Sequence, residues 1–115
     1  MKLKRAAIYA RTAALTSEKP DVLNRQVENA KEILRDKGWE LVSIYQDVGS
    51  GLRVDHPGLQ QMRHDAHQGL FDVVVVSDFS RVTRSIHEFQ PIVRDLEVQG
   101  IGLYSDTGKF NLNLG

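Results

Sequence analysis

Four consecutive valines at positions 73–76 constrain the fold more than any other stretch of this chain. Apolar, β-branched side chains on both faces suit a parallel strand that is covered on both sides, whereas a half-exposed strand alternates apolar and polar residues. Polar residues follow at once, with Arg81 and Arg84 three apart, which places both on one side of a helical turn. We therefore predict a central buried strand with a ligand site at its carboxyl end, where open α/β sheets bind ligands.

The composition indicates one globular domain spanning residues 1–115. With 41% hydrophobic and 26% charged residues, a chain of this length can bury one core but not two. Fifteen basic residues balance fifteen acidic ones, so any phosphate site must be local. The absence of cysteine excludes disulfides and thiolate metal sites. No run is long enough to span a membrane or to act as a signal segment, so we expect a cytoplasmic protein with no membrane partner.

The remaining segments alternate between strand-like and helix-like patterns, and each helix-like run ends at a glycine. This order predicts an α/β fold of three layers: a mostly parallel sheet of four to five strands with helices on both faces. The second strand alternates only partly, with Trp39, Leu41 and Tyr45 inward, which indicates a sheet edge. We predict strands at 3–10, 39–45, 71–77 and 101–104, helices at 20–37, 57–69 and 85–99 with Pro91 interrupting the last, and loops at 47–57 and 105–115.

The predicted loops at one end of the sheet carry Arg11, Arg81 and Arg84, with Gln26 in the first helix. Three guanidinium groups repel one another unless an anion lies between them, and the arginine fork fits phosphate oxygens two at a time. The segment after Arg11 has neither the glycine fingerprint of dinucleotide-binding folds nor a P-loop. We therefore predict a phosphate site of another kind.

Five motifs then follow one another along the chain, and in this order and spacing the chain resembles the N-terminal catalytic domain of the serine recombinases, the resolvase and invertase family. They are Tyr9-Ala10-Arg11, Gln26, Asp47-Val48-Gly49-Ser50-Gly51, Asp55-His56-Pro57-Gly58-Leu59 and Ser80-Arg81-Val82-Thr83-Arg84-Ser85. The resemblance covers nearly the whole chain and implies a resolvase-like fold.

The resemblance also implies a function: site-specific DNA recombination or integration, by cleavage and exchange of strands through a serine that becomes joined to a 5′ phosphate. No cofactor and no metal are implied. The family acts as homodimers that synapse into tetramers, and its DNA-reading domain lies C-terminal to this region, so DNA binding by this chain alone should be weak. By this resemblance, the catalytic positions are Arg11, Arg81 and Arg84. The positions that the resemblance implies for phosphate or DNA binding are Tyr9, Arg11, Gln26, His56, Arg81 and Arg84.

Three positions depart from the family pattern. Ala13 stands where the family has its nucleophilic serine, and a methyl group cannot attack phosphorus. His56 replaces an arginine, which leaves a weaker and titratable donor, and Ser80 replaces an aspartate. We therefore expect a degenerate domain. Thr12 and Ser17, together with Thr16 and Ser80, are candidate substitute nucleophiles, although no base is positioned to activate them.

Two alternatives remain open at this stage. A non-catalytic module of resolvase fold could bind DNA or phosphate, or dimerise, without cutting. A flavodoxin-like ligand binder fits less well, because arginines stand where a flavin needs apolar side chains. His64 and His67 could suggest a metal, but surface histidines explain them more simply. We expect Trp39 and Tyr45 to pack on the sheet rather than to stack on bases.

Overall fold

The predicted three-layer α/β fold is confirmed by the computed structural model, which describes residues 3–12, 20–48, 57–77 and 86–109. The sheet has five strands in the order β2-β1-β3-β4-β5, and all neighbours are parallel except β4 and β5. The elements are β1 (Arg5–Thr12), α1 (Pro20–Lys37), β2 (Glu40–Val48), α2 (Pro57–His67), β3 (Val73–Val75), α3 (Ile86–Val98), β4 (Gly102–Ser105) and β5 (Gly108–Lys109).

The valine strand lies at the centre of the sheet, between β1 and β4. The four valines are at most 1% exposed because helices cover both faces. The α1-side core comprises Ala6, Ile8, Ala10, Val27, Ala30, Leu34, Val73 and Val75. The α2/α3-side core includes Ala7, Tyr9, Tyr45, Leu59, Met62, Ala66, Val74, Val76, Ile92, Val93 and Leu96.

The helices begin and end close to where the sequence predicts. Pro20 suits the first turn of α1, where its missing N–H costs nothing, and Gly38 takes a φ of +72° just after the helix. The predicted apolar stripe of α2 is the buried one, Leu59, Met62 and Ala66. The expected interruption of the last helix at Pro91 was wrong, because α3 continues through this residue although its ring removes one N–H donor. No helix in the described ranges is long and apolar enough to cross a membrane.

Strand β2 lies at the predicted sheet edge, but two details of its prediction were wrong. Leu41 was expected inward with Tyr45, yet it is 38% exposed. A bulge at residue 42 explains this, because Leu41 pairs with Ala6 whereas Ser43 pairs with Ala7, and the extra residue turns Leu41 to the other face. The strand also continues to Val48, so Asp47 belongs to it and not to the loop.

The segment after β4 was predicted to be a loop, and this was wrong for its first residues. β5 pairs antiparallel with β4 through a two-residue turn at Asp106 and Thr107, and Gly108 has a φ of +106°. The Ser105 hydroxyl accepts the Thr107 N–H at 3.1 Å and so holds the turn. An Asp-x-Gly pattern after a strand is a hairpin signal that the sequence did contain.

Candidate phosphate site at the carboxyl end of the sheet

Arg11 lies at the carboxyl end of β1 and is only 4% exposed. The Gln26 side chain holds its main chain from both sides: the Arg11 N–H donates to Gln26 Oε1 at 3.0 Å, and Gln26 Nε2 donates to the Arg11 carbonyl at 2.8 Å. The amide thereby pairs with the strand as a neighbouring strand would. Its position as the seventh residue of α1, nearly two turns in, brings this buried amide to the strand end.

Asp47 pairs with Arg11 on the neighbouring strand and is 7% exposed. Its carboxylate accepts hydrogen bonds from the Tyr9 hydroxyl at 2.7 Å, the Gly58 N–H at 2.7 Å and the Leu59 N–H at 2.8 Å. A buried carboxylate is tolerated only when such donors replace water. The two N–H groups belong to the first turn of α2, so the helix dipole also favours the negative charge.

The start of α2 depends on this long-range contact. The helix begins at Pro57 and its preceding residue is a histidine, which is a poor N-cap. Asp47 serves instead as the cap, from a different element. Gly58 makes the close approach feasible, since a Cβ there would lie 2.7 Å from the Gln46 carbonyl oxygen and 2.9 Å from both carboxylate oxygens of Asp47. Glycine is therefore required at this position by contact.

Tyr9 is 1% exposed, and its phenol is committed to Asp47. Burial raises the pKa of Tyr9 far above its usual value, and the hydrogen bond to the Asp47 carboxylate raises it further. The group therefore stays protonated and donates to Asp47 at any physiological pH. In the described structure the polar groups of Tyr9 and Gln26 are engaged within the protein, so their predicted contact with phosphate stays a prediction.

The other predicted site residues lie outside the described residues: Ala13, Thr16, Ser17, His56, Ser80, Arg81 and Arg84. Thr12 ends β1, but its side chain is not described. The segments that carry these residues join the described elements at the carboxyl ends of β1, β2 and β3, which are neighbours in one parallel sheet. The convergence of three arginines is compatible with these attachment points and stays a prediction.

One of the two histidines of α2, His67, contacts α3, whereas His64 is exposed. His67 Nε2 lies 3.1 Å from Asp95 Oδ1, and Arg63 Nε donates to Asp95 Oδ2 at 3.3 Å, so the carboxylate joins α2 to α3. Within the described ranges no three His, Asp or Glu side chains are grouped to hold a metal ion.

The two aromatic side chains pack on the sheet as expected. The Trp39 ring lies 4.8 Å from that of Tyr104, edge on, and Tyr45 packs 6.2 Å from Phe71. Burial and a hydrogen bond to Asp65 raise the pKa of Tyr45 to about 12. Trp39 packs against the α1-side core, and Tyr45 belongs to the α2/α3-side core.

The family of the chain follows from comparison with known proteins. The family model "Resolvase, N terminal domain" matches residues 6–113. This chain belongs to the resolvase N-terminal domain family. The prediction of a serine-recombinase-type domain of resolvase fold is thereby confirmed. A curated "Resolvase" from Clostridium perfringens is 28% identical over 92 residues, which are 80% of this chain and 46% of that protein. The resolvase domain thus spans about half the length of the curated relatives it matches.

Solved structures agree with the family. The C-terminal catalytic domain of ISC1926 TnpA, an IS607-like serine recombinase, has a TM-score of 0.80 and 29% identity, over 88% of this chain and 68% of that one. The N-terminal catalytic domain of TP901-1 integrase has a TM-score of 0.78 and 27% identity, and the match covers 89% of this chain and 76% of that one. A resolvase family site-specific recombinase from Streptococcus pneumoniae has a TM-score of 0.79 and 18% identity, over 99% of this chain and 78% of that one. At this low identity the similarity supports the fold alone.

Proposed function

We propose that this resolvase domain binds the phosphate backbone of DNA at the carboxyl end of its sheet and belongs to a site-specific recombination system, but lacks the hydroxyl that would cut the strand. The observation that carries the proposal is the Gln26 clamp on Arg11, which holds a cation-bearing residue at the strand end, two positions before Ala13. A fixed main chain limits the positions that the Arg11 guanidinium can reach, and a phosphate site needs a cation held in place.

In this proposal each polar residue has a distinct task. The phosphate is contacted by Arg11, Arg81 and Arg84. His56 stands where the family has a fourth arginine and acts as a weaker donor. Gln26 positions Arg11 through its main chain. Tyr9 positions Asp47, which in turn fixes the start of α2 directly after His56. Tyr9 and Gln26 therefore influence phosphate binding by positioning other groups, and further contact with DNA is part of the proposal.

The missing hydroxyl decides the chemistry. Removing the nucleophile of an enzyme costs on the order of a million-fold in turnover, and remaining contacts to the substrate recover little of it. Thr12 and Ser17 are the proposed substitutes if any cleavage persists. In the proposal the resolvase domain comprises residues 1–115, acts in the cytoplasm, forms homodimers or tetramers within a longer protein, and relies on a separate region for tight DNA binding.

The same observation favours a second candidate: a module that keeps the fold and the phosphate site but never cuts. Such a module would bind DNA or a partner recombinase. The two candidates differ in whether restoring the family residues restores chemistry.

Covalent trapping separates them. The chain is fused to a recombinase DNA-binding domain and incubated with a nicked suicide substrate, alongside Ala13→Ser and the triple variant Ala13→Ser, His56→Arg, Ser80→Asp. We expect no adduct from the unaltered chain and a protein–DNA adduct from the triple variant. No adduct from any variant favours the non-cutting module. A strong adduct from the unaltered chain, mapped to Thr12, Thr16, Ser17 or Ser80, contradicts the proposal.

Binding is tested separately with Arg11→Ala in the same fusion. We expect weaker DNA binding and a salt dependence reduced by about one phosphate contact. The matched control is Arg94→Ala, which removes an exposed arginine from α3. Equal binding by both variants would show that Arg11 does not meet DNA.

A further inference from the structure

The two edges of the sheet are built differently. β5 forms one edge with two residues, one of them the exposed Lys109. Short edge strands that carry lysine are the usual protection against pairing with other chains. β2 forms the opposite edge with nine residues, and no described element covers its outer side. Within the described residues, one edge is thus short and carries a lysine, whereas the other is a long strand with its outer side free.

The open edge also carries exposed apolar side chains. Seven large hydrophobic residues are exposed in the described ranges, and four of them belong to β2: Leu41, Val42, Ile44 and Val48, at 38–44% exposure. Four such residues on one edge strand are more than scattered surface hydrophobics would give. Ile44 pairs with Ile8 of the α1-side core, and Val48 lies four residues on, so both are on the α1 side of the sheet.

Charge does not oppose the pairing of this strand with itself. Residues 41–46 are all uncharged. Glu40 stands at the start of the strand, and the carboxylate of Asp47 is buried against α2. Two copies of β2 can therefore lie side by side with no like charges directly opposite each other. Edge strands that avoid pairing usually carry such charges.

We propose that β2 pairs antiparallel with β2 of a second copy, about a two-fold axis normal to the sheet near Gln46. Side chains directly opposite in an antiparallel pair share a face, and the bulge at Val42 leaves the regular part of the strand at residues 43–48. Centring on Gln46 places Ile44 opposite Val48 of the partner subunit, twice by symmetry. Asp47 then lies opposite Tyr45 of the partner subunit, on the other face, so its charge meets none of its own sign.

A second copy suits this edge because, in the antiparallel pair, apolar side chains lie opposite apolar side chains and no like charges face each other. The contact is small, below the roughly 1,200 Å² of total buried surface typical of stable complexes, so we expect weak, reversible association. The inference does not rest on the proposed function, since it is argued from the free edge and the exposed side chains of β2 and from no phosphate contact.

Sedimentation velocity over a range of concentrations tests the surface. We expect the unaltered chain to self-associate, Ile44→Lys to remain monomeric, and Leu70→Lys to associate as the unaltered chain does. Leu70 is 46% exposed and lies outside β2, so it matches Ile44 at 42%. Circular dichroism confirms that both variants fold. A monomeric unaltered chain at every concentration, or equal association of the two variants, overturns the proposal.

Disulfide trapping tests the register. The chain has no cysteine, so a single introduced thiol can link only two copies. In the proposed pair the Gln46→Cys thiols face each other across a Cα separation of about 4.5–5.5 Å, within disulfide reach. We expect a covalent dimer from Gln46→Cys under mild oxidation and none from Asn24→Cys, on the exposed side of α1. Equal cross-linking of both variants contradicts the pairing.

Discussion

The two ends of β1 each place an aspartate beside an arginine, in opposite surroundings. At the carboxyl end Asp47 accepts hydrogen bonds from three described donors and is 7% exposed. At the amino end Asp72 also accepts three, from the Arg5 N–H at 2.8 Å, Nε at 3.3 Å and Nη2 at 3.1 Å, but its side chain is 40% exposed. The bonds are equal in number, yet water can replace only those of Asp72.

Burial therefore decides what each carboxylate contributes. Removing a partner from a buried group leaves donors that nothing else can satisfy, whereas exposed ion pairs are screened and contribute little. The comparison predicts that the site end of the sheet is intolerant of substitution and that the amino end is tolerant.

The largest effect is expected for Asp47→Ala. It leaves the Tyr9 hydroxyl and two N–H groups of α2 without their acceptor, and we expect a loss of about 3 kcal/mol in the free energy of unfolding. Urea denaturation measures it. Asp72→Ala is the matched control and should lose much less. Similar losses for the two variants would contradict the role of burial.

An intermediate effect is expected for Gly58→Ala. The new methyl group would lie 2.7 Å from the Gln46 carbonyl oxygen, so the start of α2 must move away from Asp47, at a cost of about 2 kcal/mol. Thermal unfolding measures the loss. Gly69→Ala has open space around its Cβ but a φ of +72°, so it reports backbone strain without a clash. If Gly58→Ala is as stable as the unaltered chain, the close approach of Asp47 to α2 is not as described.

The smallest effect is the pH dependence at Asp72. Hydrogen bonds from the Arg5 side chain and main chain hold the pKa of Asp72 below its usual 3.8. The unfolded chain therefore takes up this proton first as the pH falls, so the contribution of Asp72 is fully present above about pH 4 and is lost below it. The difference in unfolding free energy between the unaltered chain and Asp72→Asn should be small at pH 7 and should shrink at pH 3. A difference that grows as the pH falls would contradict a lowered pKa of Asp72 in the folded protein.

Much of the fold is predictable from local sequence. The valine run identifies the central strand because apolar residues on both faces are needed only where both faces are covered. The apolar stripe Leu59, Met62 and Ala66 follows from helical periodicity, and Gly38 marks the end of α1 because a positive φ favours glycine.

The features that were not predicted depend on other parts of the chain. The bulge at Val42 is set by pairing with β1, and β5 is too short for periodicity to reveal. The capping of α2 by Asp47 spans eleven residues, and only the lack of a capping residue before Pro57 hinted at it. At the candidate site, the arginines and Gln26 were predicted from residue type and resemblance, but the attachment of Gln26 to main-chain atoms could not be predicted from the sequence.

The attachment of Gln26 to main-chain atoms separates two properties of position 11: how its backbone is held and which charge its side chain carries. The Gln26 amide binds the N–H and the carbonyl of the residue, so these two hydrogen bonds require a main-chain N–H at position 11 but no particular side chain. A change of charge at position 11 would therefore leave both partners of these hydrogen bonds in place. Loss of the cation at this strand end therefore need not mean loss of the two hydrogen bonds that Gln26 makes there.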